Sequence, residues 1–254
     1  MCLVIFAWKV HPENRLLLAA NRDEFHGRPA QELHWWPDAP DMLAGHDLQA
    51  GGTWLAVGRS GRFATVTNYR EQQTRRAGLQ SRGEIVTDFV NGSQSAGEFV
   101  KSAAGENYAG FSLLAAADDE LWYVSNRGDG PQQLSPGVYG LSNASLDTPW
   151  TKLVRTRDGL SSMLDSDNVN ETTLMGLLAD RSVAPVADVE AGALPFELVR
   201  ALTAPFIVSA EYGTRCTTTL MWSNAGKITL AERRFAADGT RTGESSFSFD
   251  VGAY

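Results

Sequence analysis

Cysteine is scarce: Cys2 and Cys216 are the only two in 254 residues. Two cysteines cannot form a disulfide framework, and there is no C-x-x-C pair to hold a metal. A reducing cytoplasm is therefore the expected compartment. The four histidines, His11, His26, His34 and His46, show neither H-x-H nor H-E-x-x-H spacing, so no metal site is expected. The chain also lacks G-x-G-x-x-G, G-x-x-x-x-G-K-[ST] and G-x-S-x-G, which removes the common phosphate-loop and serine-elbow chemistries. No apolar run reaches the roughly 18 residues of a membrane span. The first ten residues have no basic lead and run into the polar His11-Pro12-Glu13-Asn14, so they do not read as a secretory signal. Positive charge is in deficit as well. Lys and Arg number 22 against 30 Asp and Glu, a net charge of -8, and nucleic acid is not an expected partner.

What remains is a globular composition, with 43% apolar and 20% charged residues, enough for a sizeable core. Residues 3–10 and 16–20 are apolar and flank a turn cluster, so the chain opens with a β-hairpin. The return strand leads into Asn21-Arg22-Asp23-Glu24, which places these polar residues beside the chain start. Residues 25–52 show no period and read as a long structured loop. Strands are expected near 53–58 and 62–68, and an exposed polar loop over 71–82. Ser81 with Glu84 forms a Ser-x-x-Glu helix start, followed by the apolar stripe Ile85, Val86, Phe89 and Val90. A short helix at 96–104, strands at 111–117, 121–125 and 137–141, and helices at 149–164 and 171–178 follow. Thr148-Pro149 reads as the cap and first position of the first of those two helices. Residues 181–195 read as loop and 196–202 as a short helix. The chain then closes with a hairpin at 217–222 and 227–235 and a strand at 245–251. Strands and helices alternate in blocks with no linker or repeat. The expected fold is α+β, one domain over residues 1–254, in a four-layer αββα sandwich of two antiparallel sheets with helices outside.

Cys2 is the residue with most chemical promise. Removal of Met1 leaves a thiol and a free α-amine on one residue, and an α-amine with a pKa near 8 can take the thiol proton. The nucleophile then carries its own base. The bland alternative is a small buried residue in the first strand. In an extended strand Asn21 and Asp23 face one way and Arg22 and Glu24 the other, so not all four can point at Cys2. Asp can orient an ammonium, and Arg favours a thiolate. Asn68 and Asn143 stand at strand ends, where Asn serves either as a turn former or as an oxyanion donor. Arg215 in Tyr212-Gly213-Thr214-Arg215 reads as an anion-binding residue or as a surface loop Arg. Cys216 reads as core. Trp35-Trp36 in the long loop reads as a core cap or the wall of an apolar site.

Six blocks together carry a resemblance. They are Met1-Cys2, Asn21-Arg22-Asp23-Glu24, Gly51-Gly52-Thr53-Trp54, Thr67-Asn68-Tyr69-Arg70, Leu141-Ser142-Asn143 with Asp147-Thr148-Pro149-Trp150, and Tyr212-Gly213-Thr214-Arg215. The sequence resembles the NRDE family, which includes the transport and Golgi organisation 2 proteins, from residue 1 to about residue 235. The resemblance implies the N-terminal-nucleophile hydrolase fold, similar to cysteine amide hydrolases of the penicillin V acylase and bile salt hydrolase group. It implies Cys2 as nucleophile, Arg22 and Asp23 as its tuning pair, and Asn143, with Asn68 second, as oxyanion donor. Arg215, Asn21 and Glu24 are the expected substrate-binding residues. In those acylases the Arg and Asp are three residues apart, whereas here they are adjacent. The sequence aligns either on Asp23 or on Arg22 with the acid moved to Glu24.

The expected function is hydrolysis of a linear, non-peptide amide with no cofactor. The alternative is a binding protein that uses the same pocket for haem or an acyl lipid. Either way the expected partner is a small amide, acyl or haem-like molecule, with no nucleic acid and no membrane span.

Overall fold

The opening apolar run and its turn form the expected hairpin, β1 (Cys2–Trp8) and β2 (Asn14–Phe25), but β2 runs on through the polar quartet. The reason is a third strand. β11 (Tyr212–Ser223) pairs antiparallel with β2 as far as Phe25, so the quartet has ladder partners on both sides. The computed structural model describes residues 2–70, 78–103, 105, 107–128, 130–186 and 196–252.

The remaining strands are β3 (Ala30–Trp36), β4 (Ala39–Asp47), β5 (Leu55–Gly58), β6 (Phe63–Asn68), β7 (Phe111–Ala117), β8 (Glu120–Ser125), β9 (Gln132–Gln133), β10 (Gly137–Leu141), β12 (Lys227–Phe235) and β13 (Arg241–Asp250). The helices are α1 (Arg82–Asn91), α2 (Ala96–Ala103), α3 (Thr151–Asp165), α4 (Glu171–Leu177) and α5 (Phe196–Ala201). One sheet has the order β10-β1-β2-β11-β12-β13 and the other β3-β4-β5-β6-β7-β8-β9, and every pairing is antiparallel.

Strand alternation sorts the core into three layers of contact. Val4, Phe6 and Trp8 of β1 meet Leu18, Phe63, Leu114 and Tyr123 between the sheets. Leu3, Ile5 and Ala7 face the other way, onto Leu153 and Leu160 of α3 and Leu174 of α4. Behind the second sheet, Val66, Phe111 and Val124 pack on Ile85 and Phe89 of α1 and Val100 of α2. The fold is α+β, two antiparallel sheets face to face with helices outside, as the element order implied.

Several local expectations change. Residues 25–52 are not a loop: they hold the β3–β4 hairpin. Its register breaks between Gln31 and His34 and again between Trp35 and Trp36, and these bulges erase the alternation that a sequence reading relies on. Ser81 does precede α1, but its side chain makes no cap bond; the Ser81 carbonyl accepts from Glu84 N–H at 3.1 Å instead. Thr148 does not cap α3. Trp150 is the N-cap, and the Thr148 hydroxyl donates to the Ser145 carbonyl at 2.8 Å. Residues 212–215, expected just ahead of a strand, belong to β11. Of the expected loops, 71–77 and 187–195 lie outside the described residues.

Gly52 and Gly83 matter for the site. A Cβ on Gly52 would lie 2.4 Å from the Gly83 carbonyl carbon, and Thr53 N–H donates to the Gly83 carbonyl at 3.3 Å. Glycine at both positions lets the β4–β5 connection lie directly on the start of α1.

Candidate active site

The site is built where β1 begins. Cys2 stands directly opposite Arg22, and Arg22 stands directly opposite Cys216 on its other side. Facing residues of an antiparallel pair put their side chains on one face, so the three form a row in which Arg22 is the middle member. That face looks between the sheets. Arg22 is 5% exposed, which makes its charge dependent on protein partners. Its Nη2 donates to Asp47 Oδ2 at 3.2 Å, and its guanidinium lies 4.2 Å from the Trp54 ring centroid. Arg28 Nε donates to the same Asp47 oxygen at 2.7 Å. Burial alone would push the Asp47 carboxyl up, but the Arg28 hydrogen bond, the Ala50 N–H and the Arg22 charge together hold it below its ordinary range.

Asp23, one residue on, turns to the opposite face, as alternation requires. It is 2% exposed, and its Oδ1 accepts from the Thr214 hydroxyl at 2.7 Å. The Tyr212 hydroxyl donates to the Asp23 carbonyl at 2.8 Å. Burial pushes the Asp23 carboxyl up, while the charge at the chain's amino end and that of Lys152 pull it back. Lys152 is a residue the sequence reading passed over. It sits in the first turn of α3, is 3% exposed, and its Nζ is buried without a hydrogen bond. A signal was there to be read: Lys152, Thr156 and Leu160 recur every four residues, one face of the helix, and all three are buried.

The end of β10 holds Cys2 from its other flank. The Cys2 nitrogen donates to Asn143 Oδ1 at 3.3 Å, and the Ser142 hydroxyl donates to the Cys2 carbonyl at 2.7 Å. Asn143 Nδ2 donates to the Asn68 carbonyl at 2.7 Å. An N–H on one side and a carbonyl on the other admit only this orientation of the amide. Asn143 thus ties β1 in one sheet to the end of β6 in the other. Burial pushes the Cys2 thiol above its ordinary value, and the Asp23 charge adds to this; the Arg22 charge and the Asp23 N–H oppose it.

Cys2, Arg22, Asp23, Glu24, Trp54 and Asn68 line a cavity of about 310 Å³. The start of α1, including Ser81, Arg82 and Gly83, forms part of the same wall. The structure thus brings together four of the five residues expected to be catalytic, Cys2, Arg22, Asp23 and Asn68, on one cavity, with Asn143 behind Cys2. Glu24 also reaches this wall, accepting from Phe25 N–H at 2.9 Å and lying 3.8 Å from Arg28 Nε. Two expected binding residues are elsewhere. Asn21 faces the helical side, where its amide donates to the Leu178 and Pro205 carbonyls at 3.0 and 2.8 Å and accepts from the Thr217 hydroxyl at 2.6 Å. Arg215 occupies the bulge of β11 and donates to the carbonyls of Phe25, His26 and Arg28 at 2.9, 3.2 and 3.1 Å. It clamps the chain leaving β2 and does not line the cavity. Among the described residues no three His, Cys, Asp or Glu side chains gather as a metal site, and no helix is long and apolar enough to cross a membrane.

Comparison with known proteins follows the same lines. The family model for Transport and Golgi organisation 2 matches residues 1–237. The chain is 33% identical to the Transport and Golgi organization protein 2 homolog of Bos taurus, over 98% of this chain and 99% of the relative. It is also 33% identical to the Homo sapiens homolog, over 92% of each. Among solved structures it is similar to the Caenorhabditis elegans ortholog of N-acylethanolamine-hydrolyzing acid amidase. There the TM-score is 0.52 at 10% identity, covering 86% of this chain and 92% of the other, a likeness of fold.

Proposed function

The chain belongs to the Transport and Golgi organisation 2 family, and from that premise and the site geometry we propose that it is an N-terminal-nucleophile hydrolase of a small linear amide, with Cys2 as nucleophile once Met1 is removed. The observation that carries this reading is the grip on Cys2: Asn143 accepts from its nitrogen while the residue lines the cavity beside Arg22 and Asp23. With Met1 gone that nitrogen is the α-amine, and Asn143 Oδ1 orients it. The worm protein of similar fold is an ortholog of N-acylethanolamine-hydrolyzing acid amidase, so the fold can host amide cleavage.

In this mechanism the thiol proton passes to the α-amine and Cys2 Sγ attacks the amide carbon. Asn68, on the cavity wall, donates to the oxyanion, joined by the second proton of the Asn143 amide. The C–N bond breaks as the α-ammonium returns its proton to the leaving nitrogen, leaving a thioester. Water then attacks the thioester, the amine takes the water's proton, and the acid and free thiol are released. Arg22 favours the thiolate, and Asp23 holds the ammonium. A free thiol nucleophile suits a reducing compartment such as the cytoplasm.

The test is intact-mass analysis followed by an amide and ester library, wild type against Cys2→Ala. Loss of the Met1 mass and turnover confined to wild type are expected. Retained Met1, or no Cys2-dependent turnover across the library, overturns the reading in favour of ligand binding.

A further inference from the structure

Lys152 is buried and unused by the mechanism above, and burial pushes its ammonium below the ordinary lysine range while the Asp23 charge opposes this. Its Nζ has no hydrogen bond, yet it lies inside the protein at 3% exposure. An ammonium in that position costs several kcal/mol unless an opposite charge faces it. The groups that act on it are Asp23 from β2, Cys2 from β1, and Arg70 from the segment just beyond β6. Tyr212 of β11 faces the same Asp23 and Cys2. β10 and α4 meet α3 through Gly140 under Leu153 and through Leu174, and the carboxylates that follow them are paired with other residues of α3, Asp147 with Arg157 at 3.2 Å and Asp180 with Arg155 at 2.8 Å. Among the described residues, Asp23 is the carboxylate that acts on Lys152. The other buried cation of the site, Arg22, is already committed to Asp47.

We propose that Lys152 is a positioning residue of the Cys2 site, the buried counter-charge of the Asp23 carboxylate, which through that charge sets how readily the Cys2 thiol ionises. The proposal rests on Cys2 as nucleophile for its purpose. It gives adjacent Arg22 and Asp23 separate counter-charges inside the protein. Alternation sends them to opposite faces, and each finds a counter-ion in a different layer: Asp47 in the facing sheet and Lys152 in the helix layer. When Met1 is removed, the α-ammonium joins Lys152 around one carboxylate, and the surplus positive charge favours the Cys2 thiolate.

The test needs no substrate, so its failure and the failure of the amidase reading are distinguishable. Alkylation of Cys2 by iodoacetamide is followed by peptide mass across pH for the full chain, Lys152→Met and Lys152→Arg. Lys152→Met is expected to move the profile to higher pH by about one unit, roughly a tenfold slower reaction at neutral pH, with Lys152→Arg returning it towards wild type. Superimposed wild-type and Lys152→Met profiles overturn the proposal. Urea unfolding of Lys152→Met, Asp23→Asn and the double variant covers the case in which Lys152→Met folds poorly. A double variant more stable than Lys152→Met alone supports the counter-charge, and strictly additive losses overturn it.

Discussion

The two cysteines stand on either side of Arg22, on the same face of the same sheet, and their surroundings could hardly differ more. Cys2 begins its strand, is half-buried, and opens on the cavity. Cys216 lies inside β11 between two paired strands and is 4% exposed. Burial pushes both thiols up, Cys216 well above its ordinary value with the Glu232 carboxyl adding to it, whereas the charge at the amino end opposes the rise at Cys2. Glu232 is itself buried between the sheets, where it accepts from Leu33 N–H at 3.1 Å. A shared arginine therefore does not make a reactive thiol. What separates the two positions is a strand end, which leaves one flank free for Asn143 and for the solvent side of the cavity.

Arg22 is what the two cysteines share, and its removal is the most damaging change. Arg22→Ala leaves Asp47 with Arg28 alone and strips the guanidinium from Trp54. With Arg28 still paired to Asp47, the lost hydrogen bond and cation–π contact are expected to cost about 2–3 kcal/mol, read by urea unfolding. A loss below about 1 kcal/mol would mean that Arg22 is not an internal keystone.

Under native conditions iodoacetamide is expected to label Cys2 faster than Cys216 by on the order of tenfold or more, since Cys216 reacts only through local opening. Peptide mass measures both sites in one sample, and the ratio should collapse towards unity in denaturant. Equal native rates would dissolve the distinction.

The smallest effect concerns Glu232. Burial raises its carboxyl above the unfolded value, so the folded state holds the proton longer than the unfolded chain. Stability from this residue is present below the ordinary carboxyl range and is lost as pH rises through the raised value. Glu232→Gln should flatten that part of the stability profile above the ordinary carboxyl range. An unchanged slope would show that Glu232 titrates normally.

Much of this site is legible in the residues. Alternation predicts that Arg22 and Asp23 face opposite ways, and the hairpin turn brings them beside Cys2. The order of blocks also points to two sheets with helices outside. Other features are hidden for specific reasons. The β3–β4 hairpin is masked by its bulges. Ser81 and Thr148 carry cap-forming side chains, yet one is passed over for backbone bonding and the other turns back to Ser145. Asn21 and Arg215 belong to recognisable motifs, but their donors are spent on carbonyls that only the folded chain delivers.

The amino-acid sequence by itself determined the opening hairpin, the facing of each residue along β2, and the scarcity of thiols that makes Cys2 conspicuous. These follow from local geometry: a strand has a period of two, and a tight turn returns the chain to its start. Only the tertiary structure decided that Asn143 grips the Cys2 nitrogen, that Asp47 reaches Arg22 from the facing sheet, that Lys152 is buried in the helix layer, and that Cys216 is sealed. Those outcomes depend on which surfaces press together. Whether a charge or a thiol is buried, and beside what, is a property of neighbours far away in the chain.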